Sequence, residues 1–171
     1  MKLFISKEKI KSRVLDLATD ISKYYQDKNH IMIVGVLKGS FMFFADLVRE
    51  IDVANTEIEF ISISSYEGTK SGKIKGEQID YEIFDNKNIL IVEDIIDTGK
   101  TMSYLLKEIY KGNPNSVEIV SFLFKPEYYK LAHRVKWYGF EVGDEFVVGY
   151  GLDYKENFRI LKDLYIIDEE E

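Results

Sequence analysis

The feature that most constrains the fold is an alternation of short apolar runs with stretches of helical spacing. "IMIVGV" at 31–36, "ILIV" at 89–92 and "SVEIVSFLF" at 116–124 are close to continuously apolar, the pattern of strands covered on both faces. Residues 41–51 and 101–110 follow the first two runs with helical periodicity, and the second of these helices meets a stop signal at Gly112-Asn113-Pro114. Strand, turn and helix repeated in this order predict an α/β fold, a mostly parallel sheet flanked by helices, with ligands at the carboxyl ends of its strands. Upstream, Ile10, Val14, Leu17, Ile21 and Tyr24 recur at three- and four-residue intervals, which predicts an amphipathic helix over 7–25 with Ser6 as its N-cap. "TEIEFISIS" at 56–64 reads as another strand, and the glycine- and lysine-rich 64–78 as a hairpin arm or mobile loop. A turn is expected at Asp85-Asn86. Beyond Lys125 shorter strands, "WYGFEV" and "EFVVGYG", precede an acidic tail and predict a small hood-like subdomain over the sheet edge.

No repeat or linker divides the chain, so residues 1–171 are expected to form one domain, with 46% hydrophobic residues to fill its core. The net charge of −7 argues against a nucleic-acid partner, because such binding rests on Lys and Arg neutralising phosphates. With no cysteine there is no disulfide, thiolate metal site or cysteine nucleophile. The apolar run before Lys7 is too short for a signal peptide, and nothing later offers the roughly 18 apolar residues of a membrane helix, so a cytoplasmic protein without a membrane partner is expected.

The second apolar run empties into carboxylates and then into Thr-Gly-Lys-Thr: "ILIVEDIIDTGKT", 89–101. If the strand ends at Val92, Glu93, Asp94, Asp97, Thr98, Gly99, Lys100 and Thr101 occupy the loop at its carboxyl end and the first turn of the next helix. Helix N-terminal amides, a glycine allowing close approach and two threonine hydroxyls make a phosphate cradle. A nucleoside-triphosphate P-loop is ruled out, since its leading glycine would fall on Asp94. Asp94 and Asp97 would also serve as simple helix caps. Adjacent acids beside a phosphate cradle suit a phosphorylated sugar, whose vicinal hydroxyls donate to the carboxylates.

"IVEDIIDTGKTM" resembles the phosphoribosyl-pyrophosphate signature of the type I phosphoribosyltransferases, and in detail that of the hypoxanthine-guanine phosphoribosyltransferases. Four further segments resemble that family in the same order: "VLKGSFMFFADLVREI" its pyrophosphate loop and helix, "FISISSYEG" its mobile loop, "SFLFK" its base-contacting strand, and "EFVVGYGLDYKENFR" its purine and metal segment. The match runs from about residue 31 to 159. The resemblance implies the type I phosphoribosyltransferase fold and purine salvage: transfer of the phosphoribosyl group from phosphoribosyl pyrophosphate to hypoxanthine or guanine, giving IMP or GMP and pyrophosphate. It also implies Mg²⁺ as cofactor and a homodimer or homotetramer. A regulator keeping the same ligand site would carry the motif too, but would need a basic surface for nucleic acid.

The resemblance assigns Glu93 and Asp94 to the ribose hydroxyls, Asp97, Thr98, Gly99, Lys100 and Thr101 to the 5′-phosphate, and Asp97 also to proton transfer at the purine N7. Lys38, with Gly39, and Arg159 would contact pyrophosphate, and the peptide before Lys38 would be cis. Lys125 would donate to the purine O6, Phe146 would stack on the base, and Val147 and Asp153 would accept from a 2-amino group. Asp153, with Glu93 and Asp94, would hold the metal, and Ser65 and Tyr66 would belong to the mobile loop. From the residues alone, Lys125 also reads as an exposed strand-end lysine and Phe146 as core. Ser40 stands where some relatives have a second glycine, and Glu145 where others have lysine. Both bear on the choice among hypoxanthine, guanine and xanthine.

Overall fold

Ser6 opens the first helix as expected, its hydroxyl accepting from Lys9 N at 3.5 Å, and α1 runs Lys7–Tyr25 with Ile10, Val14, Leu17, Ala18, Ile21 and Tyr25 buried along one stripe. A computed structural model of the protein describes residues 1–28, 30–65, 74–76 and 80–167. Ahead of α1 lies a strand absent from the sequence reading, β1 (Lys2–Ile5). Then follow β2 (Ile31–Leu37), α2 (Phe41–Glu50), β3 (Thr56–Ser65), β4 (Ile74–Gly76), β5 (Asn88–Ile96), α3 (Lys100–Tyr110), β6 (Ser116–Phe124), β7 (Trp137–Glu141), β8 (Val147–Val148) and β9 (Leu164–Ile166). A 3₁₀ turn at Tyr81–Phe84, also unforeseen, leads into the expected turn at Asp85-Asn86.

The larger sheet has the order β4-β3-β2-β5-β6-β7; β4 pairs antiparallel to β3 and the other five strands are parallel. Continuous apolar runs are explained by the two cores on its faces. Ile31, Ile33, Leu90, Val92, Val120 and Phe122 point to the core shared with α1 and α2, whereas Met32, Val34, Val36, Ile89, Ile91 and Ile119 point to the core shared with α3. The central run of each such strand is therefore apolar on both faces rather than at every second position.

Two expectations need correction. β5 does not end at Val92 but continues to Ile96, because β6 goes on pairing with it as far as Ile96↔Phe124; Glu93 and Asp94 are strand residues, not loop residues. "WYGFE" does not join a subdomain either: β7 pairs parallel with β6 and forms the edge of the main sheet. The hood is a separate antiparallel sheet, β1-β9-β8, completed by the N-terminal strand through Lys2↔Ile166 and Leu3↔Tyr165. Lys7 N donates to Asp163 Oδ1 at 2.7 Å and ties the start of α1 to that hood. Among the described residues, no helix is long and apolar enough to cross a membrane.

Candidate active site

The crevice arises where β5 outlasts its pairing with β2. Those two strands stay paired from Met32↔Ile89 to Gly35↔Val92, while β5 remains on β6 beyond that point. Glu93 and Asp94 thus lie on a stretch bonded on one side and open on the other. Glu93 is only 6% exposed. Its carboxyl is pushed well above the usual range, first by burial and then by the neighbouring charge of Asp94. Burial also raises Asp94, against hydrogen bonds and the positive charge of Arg159, which lower it. Locally, Asp94 N donates to Glu93 Oε1 at 3.2 Å and Ile95 N to Asp94 Oδ1 at 2.7 Å. Asp94 therefore caps its own strand neighbour, not a helix.

Two glycines bring distant backbone against this acid pair. A Cβ on Gly39 would lie 1.6 Å from Asp94 Oδ2, so only glycine lets the loop after β2 come so close. The Leu37–Lys38 peptide in that loop is cis, as the resemblance implies. Gly151, with φ +103°, would place a Cβ 2.1 Å from the Gly39 carbonyl oxygen. The loop it belongs to is closed by Tyr150 N to Leu161 O at 2.8 Å and Gly151 N to Arg159 O at 2.9 Å. This closure delivers Arg159 to the site. Its Nη1 donates to Gly151 O at 2.9 Å and its Nη2 pairs with Asp153 Oδ1 at 2.8 Å and Glu156 Oε2 at 3.3 Å; its buried Nε has no partner among the described residues.

At the end of β5, Gly99 occupies the N-cap of α3 with φ 83° and no side-chain cap bond. Asp97 is exposed and its carboxylate has no hydrogen-bond or ion-pair partner among the described residues, so the capping reading fails for it as well. The first-turn amides of α3 are left to a ligand or to water. Residues 93 and 95–102 line a pocket of about 120 Å³ around this turn. A groove of about 470 Å³ between α1, α2 and residues 160–162 contains none of these acids.

The segment after β6 buttresses the turn. Lys125 N donates to Ile96 O at 2.9 Å, Lys130 N to Thr98 O at 3.4 Å, and a Cβ on Gly99 would lie 2.8 Å from the Tyr129 ring. Lys125 is half-buried, and its ammonium has no partner among the described residues. Phe146 is half-buried rather than core; its ring meets Tyr154 edge-on at 5.6 Å, and its carbonyl accepts from Ile167 N at 3.1 Å. Val147 is buried in β8, opposite Ile166. Ser65 ends β3; of the stretch 64–78 expected as a hairpin arm or mobile loop, residues 74–76 form β4 against β3, while Tyr66 with the rest of 66–73 and 77–79 lie outside the described residues.

The structure thus brings together Lys38, Gly39, Glu93, Asp94, Asp153 and Arg159 on one side of the β5 end and residues 97–101 with Lys125 on the other. Sequence reasoning missed Gly151, Tyr129 and Glu156. Gly151 left a signal, a glycine between Tyr150 and Leu152 in the matched segment. Tyr129 and Glu156 left none, since Glu156 meets Lys38 across 118 residues.

A model of the phosphoribosyl transferase domain matches residues 6–155, so the likeness takes in α1 and is wider than the segment from residue 31. The hypoxanthine-guanine phosphoribosyltransferase of Dictyostelium discoideum is 42% identical over 172 residues, 98% of this chain and 95% of that protein. The crystal structure of a hypoxanthine-guanine phosphoribosyltransferase from Bacillus anthracis superposes with a TM-score of 0.90 at 36% identity, covering 98% of this chain and 99% of that one. The hypoxanthine phosphoribosyltransferase of Trypanosoma cruzi, solved with its product IMP, gives 0.89 at 34% identity, covering 99% and 95%. In sequence along nearly its whole length, and in the course of its backbone, the chain belongs to the phosphoribosyltransferase family, among the hypoxanthine-guanine phosphoribosyltransferases.

Proposed function

We propose that the protein, as one domain over residues 1–171, transfers the phosphoribosyl group of phosphoribosyl pyrophosphate to hypoxanthine or guanine, giving IMP or GMP and pyrophosphate. It acts in purine salvage, as a cytoplasmic homodimer or homotetramer. The observation that carries this reading is the end of β5: a buried acid pair, an exposed carboxylate that caps nothing, and an uncapped helix N-terminus within nine residues, Glu93 to Thr101. A sugar phosphate satisfies all three at once.

In this reading Glu93 and Asp94 accept from the ribose hydroxyls, and the α3 amides with Thr98, Gly99, Lys100 and Thr101 hold the 5′-phosphate. As the bond from C1 to pyrophosphate breaks, positive charge grows on the sugar and negative charge on the leaving oxygens; Lys38, the Gly39 backbone and Arg159 stabilise the latter. Asp97 takes the proton from the purine ring. Lys125 donates to O6, a contact a 6-amino base cannot accept. Phe146 stacks on the base, and the carbonyls of Val147 and Asp153 accept from a 2-amino group. Ser65 and Tyr66 belong to the loop that covers the site and keeps water out.

Magnesium fits the acidic set. Burial raises both Glu93 and Asp94, the penalty that a bound cation relieves. Among the described residues no group of three acids would hold a metal by itself, so water and substrate oxygens would have to fill the ion's shell. Glu93, Asp94 and Asp153 would hold it, and it would shield the diphosphate and stabilise its departure.

The test is an ultraviolet assay of the purified protein with hypoxanthine, guanine, xanthine or adenine, Mg²⁺ and phosphoribosyl pyrophosphate. Nucleotide formation with hypoxanthine or guanine and little with adenine is expected. No turnover with any 6-oxopurine refutes the reading.

A further inference from the structure

The two cations assigned above to pyrophosphate already share an anion from their own chain. Glu156 Oε2 lies 3.3 Å from Lys38 Nζ and 3.3 Å from Arg159 Nη2, so one carboxylate oxygen bridges both. The backbone is shaped to present it. Lys155 and Glu156 take φ values of 50° and 65°, and Glu156 N donates to Asp153 Oδ2 at 2.8 Å, which folds the turn back over the site. The Lys38 hydrogen bond, and after it that of Arg159, hold the Glu156 carboxyl below the usual range.

The bridge is built to let go. The Lys38 and Glu156 side chains are 69% and 67% exposed, and exposed ion pairs of this kind contribute little, since water and salt compete for both partners. Arg159 does not depend on it: its side chain is 18% exposed and keeps Asp153 at 2.8 Å and Gly151 O at 2.9 Å. Loss of Glu156 therefore frees Lys38 and one edge of Arg159 without unseating the arginine.

Building on the proposed function, we propose that Glu156 is a displaceable counter-anion that occupies the pyrophosphate position between Lys38 and Arg159 in the free enzyme and lowers the affinity for pyrophosphate. The diphosphate must expel a tethered carboxylate to enter. Once transfer is complete, the same carboxylate competes for the cations and hastens release of the leaving group.

Calorimetric titration of the full chain with magnesium pyrophosphate tests this in wild type, Glu156→Gln and Glu156→Asp. Gln keeps the side chain's length and the turn's backbone bond but removes the charge; Asp keeps the charge and withdraws it by one methylene. The Gln variant is expected to bind pyrophosphate about three- to fivefold more tightly, the scale of an exposed ion pair, and the Asp variant about twofold or more. Weaker or unchanged binding in the Gln variant overturns the proposal. So does an Asp variant that binds like wild type, because a long-range field rather than the contact would then be at work. Failure of the functional reading looks different: wild type itself would neither bind pyrophosphate nor form nucleotide.

Discussion

At the amino ends of the parallel strands, Glu118 accepts from Tyr24 at 2.6 Å and from Lys136 at 2.9 Å, and Glu57 accepts from Lys87 at 2.8 Å. At the carboxyl ends, Glu93 and Asp94 sit side by side with their carboxyls pushed up, and Asp97 and Lys125 have no partners among the described residues. The same sheet thus pairs these charges at its amino ends, whereas at its carboxyl ends the acids of β5, with Asp97 and Lys125, are left open or mutually repelling although Lys38, Asp153, Glu156 and Arg159 beside them pair with one another. The Lys87 hydrogen bond lowers the exposed Glu57; burial opposes the lowering of Glu118, which its hydrogen bonds from Tyr24 and Lys136 bring about; desolvation dominates Glu93. Opposite directions for the same residue type show which carboxylates the fold itself satisfies.

The largest effect expected from this contrast is that of removing divalent metal. Excess chelator should abolish turnover and leave the fold intact, because an unshielded acid pair repels a polyanionic substrate. Full turnover in chelator, with circular dichroism unchanged, would break the contrast at its centre.

Asp97→Asn comes next. It caps nothing, so melting temperature should stay within about a degree, whereas turnover should fall by about 10² to 10⁴, the usual contribution of a positioned proton-transfer group. Binding of phosphoribosyl pyrophosphate, followed by calorimetry, should change only several-fold. A fall in turnover of less than roughly threefold would return Asp97 to the surface and withdraw the base assignment.

Lys125→Met should narrow the preference for hypoxanthine over adenine by about ten- to a hundredfold, since a charge-assisted hydrogen bond contributes roughly 1.5–3 kcal/mol. The ratio of kcat/KM for the two bases measures it. An unchanged ratio would make Lys125 an ordinary strand-end lysine.

The smallest effect tests the other end of the sheet. Glu118→Gln should cost about 1 kcal/mol and about 2–4 °C in Tm, with kcat and KM unaltered. Calorimetric melting beside the steady-state assay separates the two. A loss of turnover there would show that the ends are not independent.

The sequence made legible what rests on local periodicity. The runs at 31–36, 89–92 and 116–124 fall in β2, β5 and β6, and the bounds of α1 agree with its apolar spacing and its Ser6 cap. What it hid depends on pairing across the chain. β1 alternates too little to be read, and becomes a strand only against β9, more than 150 residues later. Glu93 and Asp94 read as loop residues because carboxylates that follow an apolar run usually lie beyond the strand; β6 holds them in it. In the site, the contiguous residues 93–101 could be found from their motif, whereas Glu156 acquires meaning only from Lys38 and Arg159 beside it.

The contact of Gly151 with Gly39 also has a genetic consequence. Every missense change reachable from a glycine codon by one base substitution introduces a side chain with at least a Cβ, and at Gly151 that carbon would sit 2.1 Å from the Gly39 carbonyl on a backbone at φ +103°. The position is closed to gradual drift. A lineage can retune the neighbouring Leu152 or Lys155 in small steps, but at Gly151 its choice is between the ancestral residue and a displaced loop, so allelic variation along this segment should be interrupted at that codon.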